Sequence, residues 1–220
     1  MSRLLSLDGP PFAGKTTIGG YFASRGWKHV EELASHIPAE TPLPNEDPRE
    51  HDEGGDLWYV HEEWKRWNDA VSLSKQFPVF VDRTPLSVVA YWRTRCILHG
   101  IHPTSHIIRT YLRCAAKIAD HRFHFLIPDA SVLACRAQAV IGHAERMNVE
   151  RGRSKHFEWH RSMPFIEENR KSYLLLLDTL RRIQPQEILA TTSSVFCAEL
   201  PLEGLRSYIS SYTSVKESDE

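Results

Sequence analysis

Cysteine is scarce in this 220-residue chain, and neither sign of charge is in surplus. Its four cysteines, Cys96, Cys114, Cys135 and Cys197, lie far apart and form no CxxC pair. That excludes a disulfide framework or a zinc ribbon and points to reduced thiols within a core. His102 and His106, like His156 and His160, stand four apart but lack a third ligand, and no HExxH occurs, which excludes a zinc hydrolase. Twenty-seven Lys and Arg against 28 Asp and Glu leave a formal charge of -1, without the basic excess expected of a protein that binds a nucleic acid polymer. No run approaches the ~20 apolar residues that span a bilayer. Nor does the N-terminus show a basic region followed by a long apolar stretch, so a cytoplasmic protein is expected.

What is present is a core. Hydrophobic residues make up 41% of the chain, too many for a disordered polymer. Short apolar runs alternate with longer helical patterns. Strands are expected at Leu4 to Leu7, Trp27 to Glu31, Phe77 to Val81, Phe123 to Ile127 and Glu187 to Thr191. Helices are expected at Gly14 to Ser24 and around 57–75, 84–98, 103–119, 129–141 and 164–183. This alternation predicts an α/β fold, a parallel sheet covered on both faces, with any ligand beyond the carboxyl ends of the strands. Residues 1–213 read as one domain and 214–220 as a polar tail. Segment 38–56, with four prolines and Gly54-Gly55, reads as an irregular acidic insertion.

Gly9-Pro10-Pro11-Phe12-Ala13-Gly14-Lys15-Thr16 matches G-x-x-x-x-G-K-[ST] at every fixed position. It follows an apolar strand and opens a helix through Thr17 and Ile18, the context that the motif requires. Glycines let successive backbone N–H groups curl around phosphate oxygens, and the helix N-terminus adds partial positive charge. Lys15 is placed to reach the β- and γ-phosphates, and the Thr16 hydroxyl to hold Mg²⁺. No Asn-Lys-x-Asp base reader of the GTPase switches occurs, nor a strand ending in the catalytic Glu of motor ATPases. Instead the third strand ends in Asp82-Arg83. A carboxylate there suits Mg²⁺, and a guanidinium suits a phosphate or a carboxylate. Equally, Asp82 or Thr84 could cap the helix that begins near Pro85.

With its phosphate loop, its Asp82-Arg83 pair, Val30-Glu31-Glu32 at the second strand end, and the arginines from Arg136 through Arg146, Arg151 and Arg153, the chain resembles the thymidylate kinase and deoxynucleoside kinase superfamily. The resemblance implies a three-layer P-loop fold with a five-stranded parallel sheet of order 2-3-1-4-5. It implies ATP and Mg²⁺, with Asp82 and Arg83 between acceptor and phosphates. Of Glu31 and Glu32, which alternation sends to opposite faces, it favours Glu32 as the base on an acceptor hydroxyl. It makes 142–155 a lid bringing Arg151 and Arg153 to the γ-phosphate, and sets Arg136 against adenine. Pro11 stands where thymidylate kinases usually carry an acidic residue, and their Arg-Glu-Pro-Gly segment is missing. Trp58, Trp64 and Trp67 share one expected helix. Core packing is the plain reading for them, and Trp64 is the candidate for an aromatic wall against a flat base.

The expected activity is therefore transfer of the ATP γ-phosphate to a nucleoside or nucleoside monophosphate, with a homodimer left open. The alternatives are a phosphotransferase for a non-nucleotide small molecule and a non-catalytic ATP-binding module.

Overall fold

Leu4-Leu5-Ser6-Leu7-Asp8 forms β1 (Leu4–Asp8), and all five residues are buried. So are all four of β3 (Val79–Asp82). Only a strand flanked by neighbours on both sides and covered on both faces is apolar along nearly its whole length. In the computed structural model, which describes residues 4–33, 53–101, 123–146, 161–183 and 188–191, the two strands pair in parallel, Leu4 opposite Val79 and Leu7 opposite Asp82. β2 (Lys28–Val30) adds to the outer side of β3. β4 (Phe123–Leu126) pairs with the other side of β1, and β5 (Ile188–Thr191) closes that end. The sheet has five parallel strands in the order β2-β3-β1-β4-β5, as the family resemblance implied.

Strand alternation sorts the core into two layers. Leu4, Val79, Val81, Phe125 and Ile127 face one side, with Trp67 of α2 (Glu53–Leu73), Leu86 and Ala90 of α3 (Leu86–His99), and Tyr173 and Leu177 of α5 (Met163–Ile183). Leu5, Leu7, Phe80 and Leu126 face the other, with Ile18 and Phe22 of α1 (Lys15–Ala23) and Leu133 and Ala137 of α4 (Ala130–Arg146). The same alternation sends Asp8 and Arg83 toward the first layer and Asp82 toward the second. The three side chains at these strand ends are thereby divided before any ligand is considered.

The structure departs from the sequence reading at several places. α2 begins at Glu53, four residues earlier than expected, so the end of the 38–56 insertion is helical. Gly54 and Gly55 lie in its first turn, where N–H groups have no helical partner. Residues 142–146 of the expected lid continue α4, while 147–155 lie outside the described residues, as do the expected helix at 103–119, positions 38–52 and the tail. Cys135, expected in the core, is exposed, and Cys96 is partly buried. Among the described residues no helix is long and apolar enough to cross a membrane.

Candidate nucleotide and acceptor site

The chain leaves β1 through a turn that admits only glycine at its first position. Gly9 has φ 147, and a Cβ there would stand 2.1 Å from the Leu126 carbonyl oxygen. β4 therefore presses against the start of the loop, and the close approach fixes its path. Phe12 (φ 64) and Gly14 (φ 97) take positive φ, and Gly14 caps α1. This is the curled backbone expected of an anion cradle. Arg136 of α4 braces it from outside, donating from Nη1 to the carbonyls of Ala13 at 2.8 Å and Phe12 at 3.4 Å. Sequence reasoning set Arg136 against adenine. In the structure its guanidinium holds the loop backbone.

Lys15 is buried, and its Nζ donates to the Pro10 carbonyl at 2.8 Å. Burial, then the nearby Arg83 guanidinium, lower its pKa to about 8, against the pull of Asp82, Glu32 and Asp8. Thr16 and Thr17 are exposed on the first turn of α1. The Thr16 hydroxyl donates to Asp82 Oδ2 at 2.8 Å, joining the phosphate loop to the end of β3. Asp82 Oδ1 is buried without a hydrogen-bond partner among the described residues. A buried carboxylate oxygen left over beside a threonine hydroxyl is a hard oxygen pair, the donor chemistry of a Mg²⁺ site completed by phosphates and water. No cluster of three His, Cys, Asp or Glu exists among the described residues, so phosphates and water would have to supply the remaining ligands. Capping falls to Thr84, whose hydroxyl oxygen accepts from the Leu86 N–H at 3.2 Å. Asp82 takes no part in it.

Arg83 takes φ 69, a left-handed conformation costly for a side chain with a Cβ. That turn carries its guanidinium back across the strand ends. Nε meets Glu32 Oε2 at 2.5 Å, while Nη1 donates to the Gly9 carbonyl at 3.1 Å and reaches Tyr173 Oη at 3.2 Å. Arg83 holds the Glu32 carboxyl down at about 2, against partial burial. Burial pulls the Arg83 pKa down, but Glu32, Tyr173 and Asp82 together outweigh it and leave the guanidinium more firmly protonated than usual. Glu31 is exposed, so Glu32 is the glutamate facing the site. The structure thus brings Lys15, Thr16, Glu32, Asp82, Arg83 and Arg136 around one loop. Trp67 is buried in the core, and Trp64 packs half-buried against the same cluster. Arg151 and Arg153 lie outside the described residues.

Three residues here escaped the sequence reading. Asp8 Oδ2 accepts from the backbone N–H of Thr84 at 3.0 Å and from its hydroxyl. Asp8 Oδ1 accepts from the Gly9 N–H and from Tyr173 Oη, each at 3.3 Å. Burial raises the pKa of Asp8, and burial with the Asp8 charge raises that of Tyr173 well above its ordinary value. A charged residue closing an apolar strand just before the motif was the available signal for Asp8. The third is Arg66 of α2, half-buried against Glu63.

Residues 5–125, more than half of the chain, match the family model AAA_28, described as an AAA domain. No curated protein matches the sequence. Among solved structures, deoxyadenosine kinase from M. mycoides with bound dATP aligns with a TM-score of 0.65 at 14% identity, covering 95% of this chain and 99% of that one. The same enzyme with bound dCTP aligns equally well, over 94% and 99%. Thymidylate kinase from Candida albicans aligns with a TM-score of 0.57 at 11% identity, over 100% and 94%. At such identities the likeness is one of fold, and it is the fold that the phosphate loop and strand order require. With the family model spanning the loop and both strand ends of the site, the chain belongs to the AAA_28 family of AAA domains and shares the fold of the P-loop nucleoside and nucleotide kinases.

Proposed function

We propose that the protein is a kinase that transfers the γ-phosphate of ATP, with Mg²⁺, to a nucleoside or a nucleoside monophosphate. The observation that carries this reading is the Glu32–Arg83 pair, set at the ends of two adjacent strands and tied through Arg83 to the Gly9 carbonyl. An ionised carboxylate beside the phosphate loop is suited to accept the proton of an acceptor hydroxyl. In the in-line attack the acceptor oxygen bonds to the γ-phosphorus as the bond from phosphorus to the bridging oxygen breaks. ADP leaves, and the hydroxyl proton passes to Glu32. The catalytic Glu that motor ATPases carry at the end of this strand is missing, and Arg83 follows Asp82 instead.

Lys15 would turn from the Pro10 carbonyl to the β- and γ-phosphates. Thr16 and Asp82 would hold Mg²⁺, which when bound neutralises phosphate charge. Gly9 to Thr17 would wrap the phosphates, with Arg136 bracing the loop below adenine. Arg151 and Arg153 are proposed for the γ-phosphate, and half-buried Trp64 for the face of a base. Two further points support the reading. The similar deoxyadenosine kinase structures hold dATP and dCTP. Arg83 commits Nε to Glu32 and Nη1 to Gly9 and Tyr173, which favours a neutral hydroxyl over a phosphomonoester as acceptor.

A phosphorylation and thermal-shift screen with ATP–Mg²⁺ tests this against nucleosides, monophosphates and non-nucleotide alcohols. ADP should form only when an acceptor is supplied, with nucleosides best. ADP release that ignores every acceptor would refute the kinase assignment. Phosphorylation of a non-nucleotide alcohol alone would transfer it to another acceptor class.

A further inference from the structure

We propose that Arg66 is a positioning residue for phosphoryl transfer, holding the ends of β2 and β3 so that Glu32 and Arg83 meet beside the phosphate loop. The inference rests on the kinase reading for its activity readout, but its geometry stands alone. Arg66 Nη1 donates to the carbonyls of Glu31 at 2.8 Å and Asp82 at 3.1 Å, and Nη2 to that of Arg83 at 2.8 Å. Its Nε and Nη2 also meet Glu63 Oε2 at 3.1 and 2.6 Å. One planar guanidinium from α2 therefore crosses both strand ends. Two of its carbonyls belong to Asp82 and Arg83, and the third immediately precedes Glu32.

Two features make this more than a staple of the fold. First, Arg83 reaches Glu32 and Gly9 from a left-handed backbone (φ 69), and the Arg66 bond to the Arg83 carbonyl holds that turn. Without it residue 83 can relax to an ordinary extended conformation, which carries its guanidinium away from Glu32. Second, the cation holding the carbonyls is itself fixed by a buried acid. Glu63 is 3% exposed and lies one helical turn away on α2. Burial pushes its carboxyl up, against Arg66. A fork of five donors can serve three carbonyls and a carboxylate together. A lysine ammonium has three donors at one point and cannot span both strands.

The test uses Arg66→Lys and Arg66→Gln in the full chain, so that a folding failure in one leaves the other. Turnover and acceptor KM are measured beside Kd for a non-hydrolysable ATP analogue with Mg²⁺. The Arg83 Nε–H resonance, assigned with Arg83→Lys, and the titration of the Glu32 carboxyl are followed by NMR. Turnover is expected to fall at least about thirtyfold, with analogue Kd changed by less than about threefold, as for loss of a group acting on the transition state alone. The Arg83 resonance should shift and the Glu32 midpoint rise from about 2. Wild-type turnover in either folded variant, whatever the change in Tm, overturns the proposal. Should the wild type phosphorylate no acceptor, the kinase reading fails and the spectra still decide. A shifted Arg83 resonance then supports the positioning role, and an unchanged one overturns it.

Discussion

The nucleotide half of the site and the acceptor half are built by different means. The nucleotide half is backbone. Gly9 to Gly14 curl between a strand and a helix that are continuous in sequence, and Lys15 and Thr16 follow at once. The acceptor half is side chain. Glu32, Arg66, Arg83 and Tyr173 come from four separate elements and meet only because β2 lies beside β3 and α5 crosses above β1. A backbone cradle serves any nucleoside triphosphate. A side-chain cluster can be altered one residue at a time, and acceptor choice should reside there. Substitutions in the first half should then strike nucleotide binding and turnover together, and those in the second should strike transfer and spare nucleotide binding.

The largest effect is expected from Lys15→Ala. It removes the cation that the loop itself carries, and transfer should fall by roughly a thousandfold, with weaker ATP binding and an intact fold. Turnover assays beside circular dichroism check this, and unchanged turnover would break the kinase assignment altogether. Next come Glu32→Gln and Arg83→Lys. Each should cut transfer roughly a hundredfold, the typical range for loss of a positioned base or its partner, with little change in ATP-analogue Kd by calorimetry. A large loss of ATP binding in Glu32→Gln would merge the two halves into one. Asp82→Asn and the arginine variants are expected to act at the seam. Asp82→Asn should raise the Mg²⁺ concentration needed for half-maximal rate, since one of its oxygens is buried without a partner. Arg151→Ala or Arg153→Ala should slow transfer at least about tenfold with a smaller effect on ATP affinity.

The two halves differ as much in legibility as in construction. The phosphate loop was readable because contiguous residues carry it, and the strand starting at Leu4 and the helix through Ile18 confirmed its context. Asp82-Arg83 was readable because charge ending the apolar run Val79 to Val81 marks a strand mouth. Choosing Glu32 over Glu31 needed the family resemblance, since alternation says only that they part. Arg66 was hidden. Within a helix rich in Glu and Trp, nothing local separates a surface pair from a clamp on three distant carbonyls. The Asp8–Tyr173 contact joins residues 165 positions apart, and no spacing rule reaches that far. Strand order was likewise absent from the residues themselves. The insertion boundary failed for a local reason, because Gly54-Gly55 reads as a breaker while a first helical turn tolerates it.

The smallest expected effect is a difference in pH response between the halves. In the free protein, burial and Arg83 hold Lys15 at about 8, below the ordinary lysine value of 10.5. A lysine depressed in this way binds fewer protons folded than unfolded between those limits. Its unfavourable contribution to stability is therefore fully present below about pH 8 and relieved as pH rises toward 10.5. Nucleotide binding reverses the balance, because phosphates favour the charged amine. ATP-analogue affinity should hold steady below pH 8 and then weaken by up to about tenfold per pH unit above it. Glu32 behaves otherwise. Held at about 2 by Arg83, it stays ionised throughout, and acceptor KM should be flat between about pH 5 and 9 as far as this group is concerned. Calorimetric titration of the analogue from pH 7 to 10, in wild type and Lys15→Met, measures the first trend, and the variant should lose it. Acceptor kinetics at saturating ATP measure the second. Should both curves bend at the same pH, Lys15 and Glu32 would be titrating as one coupled system, and the division between a backbone cradle and a side-chain acceptor cluster would not hold in their electrostatics.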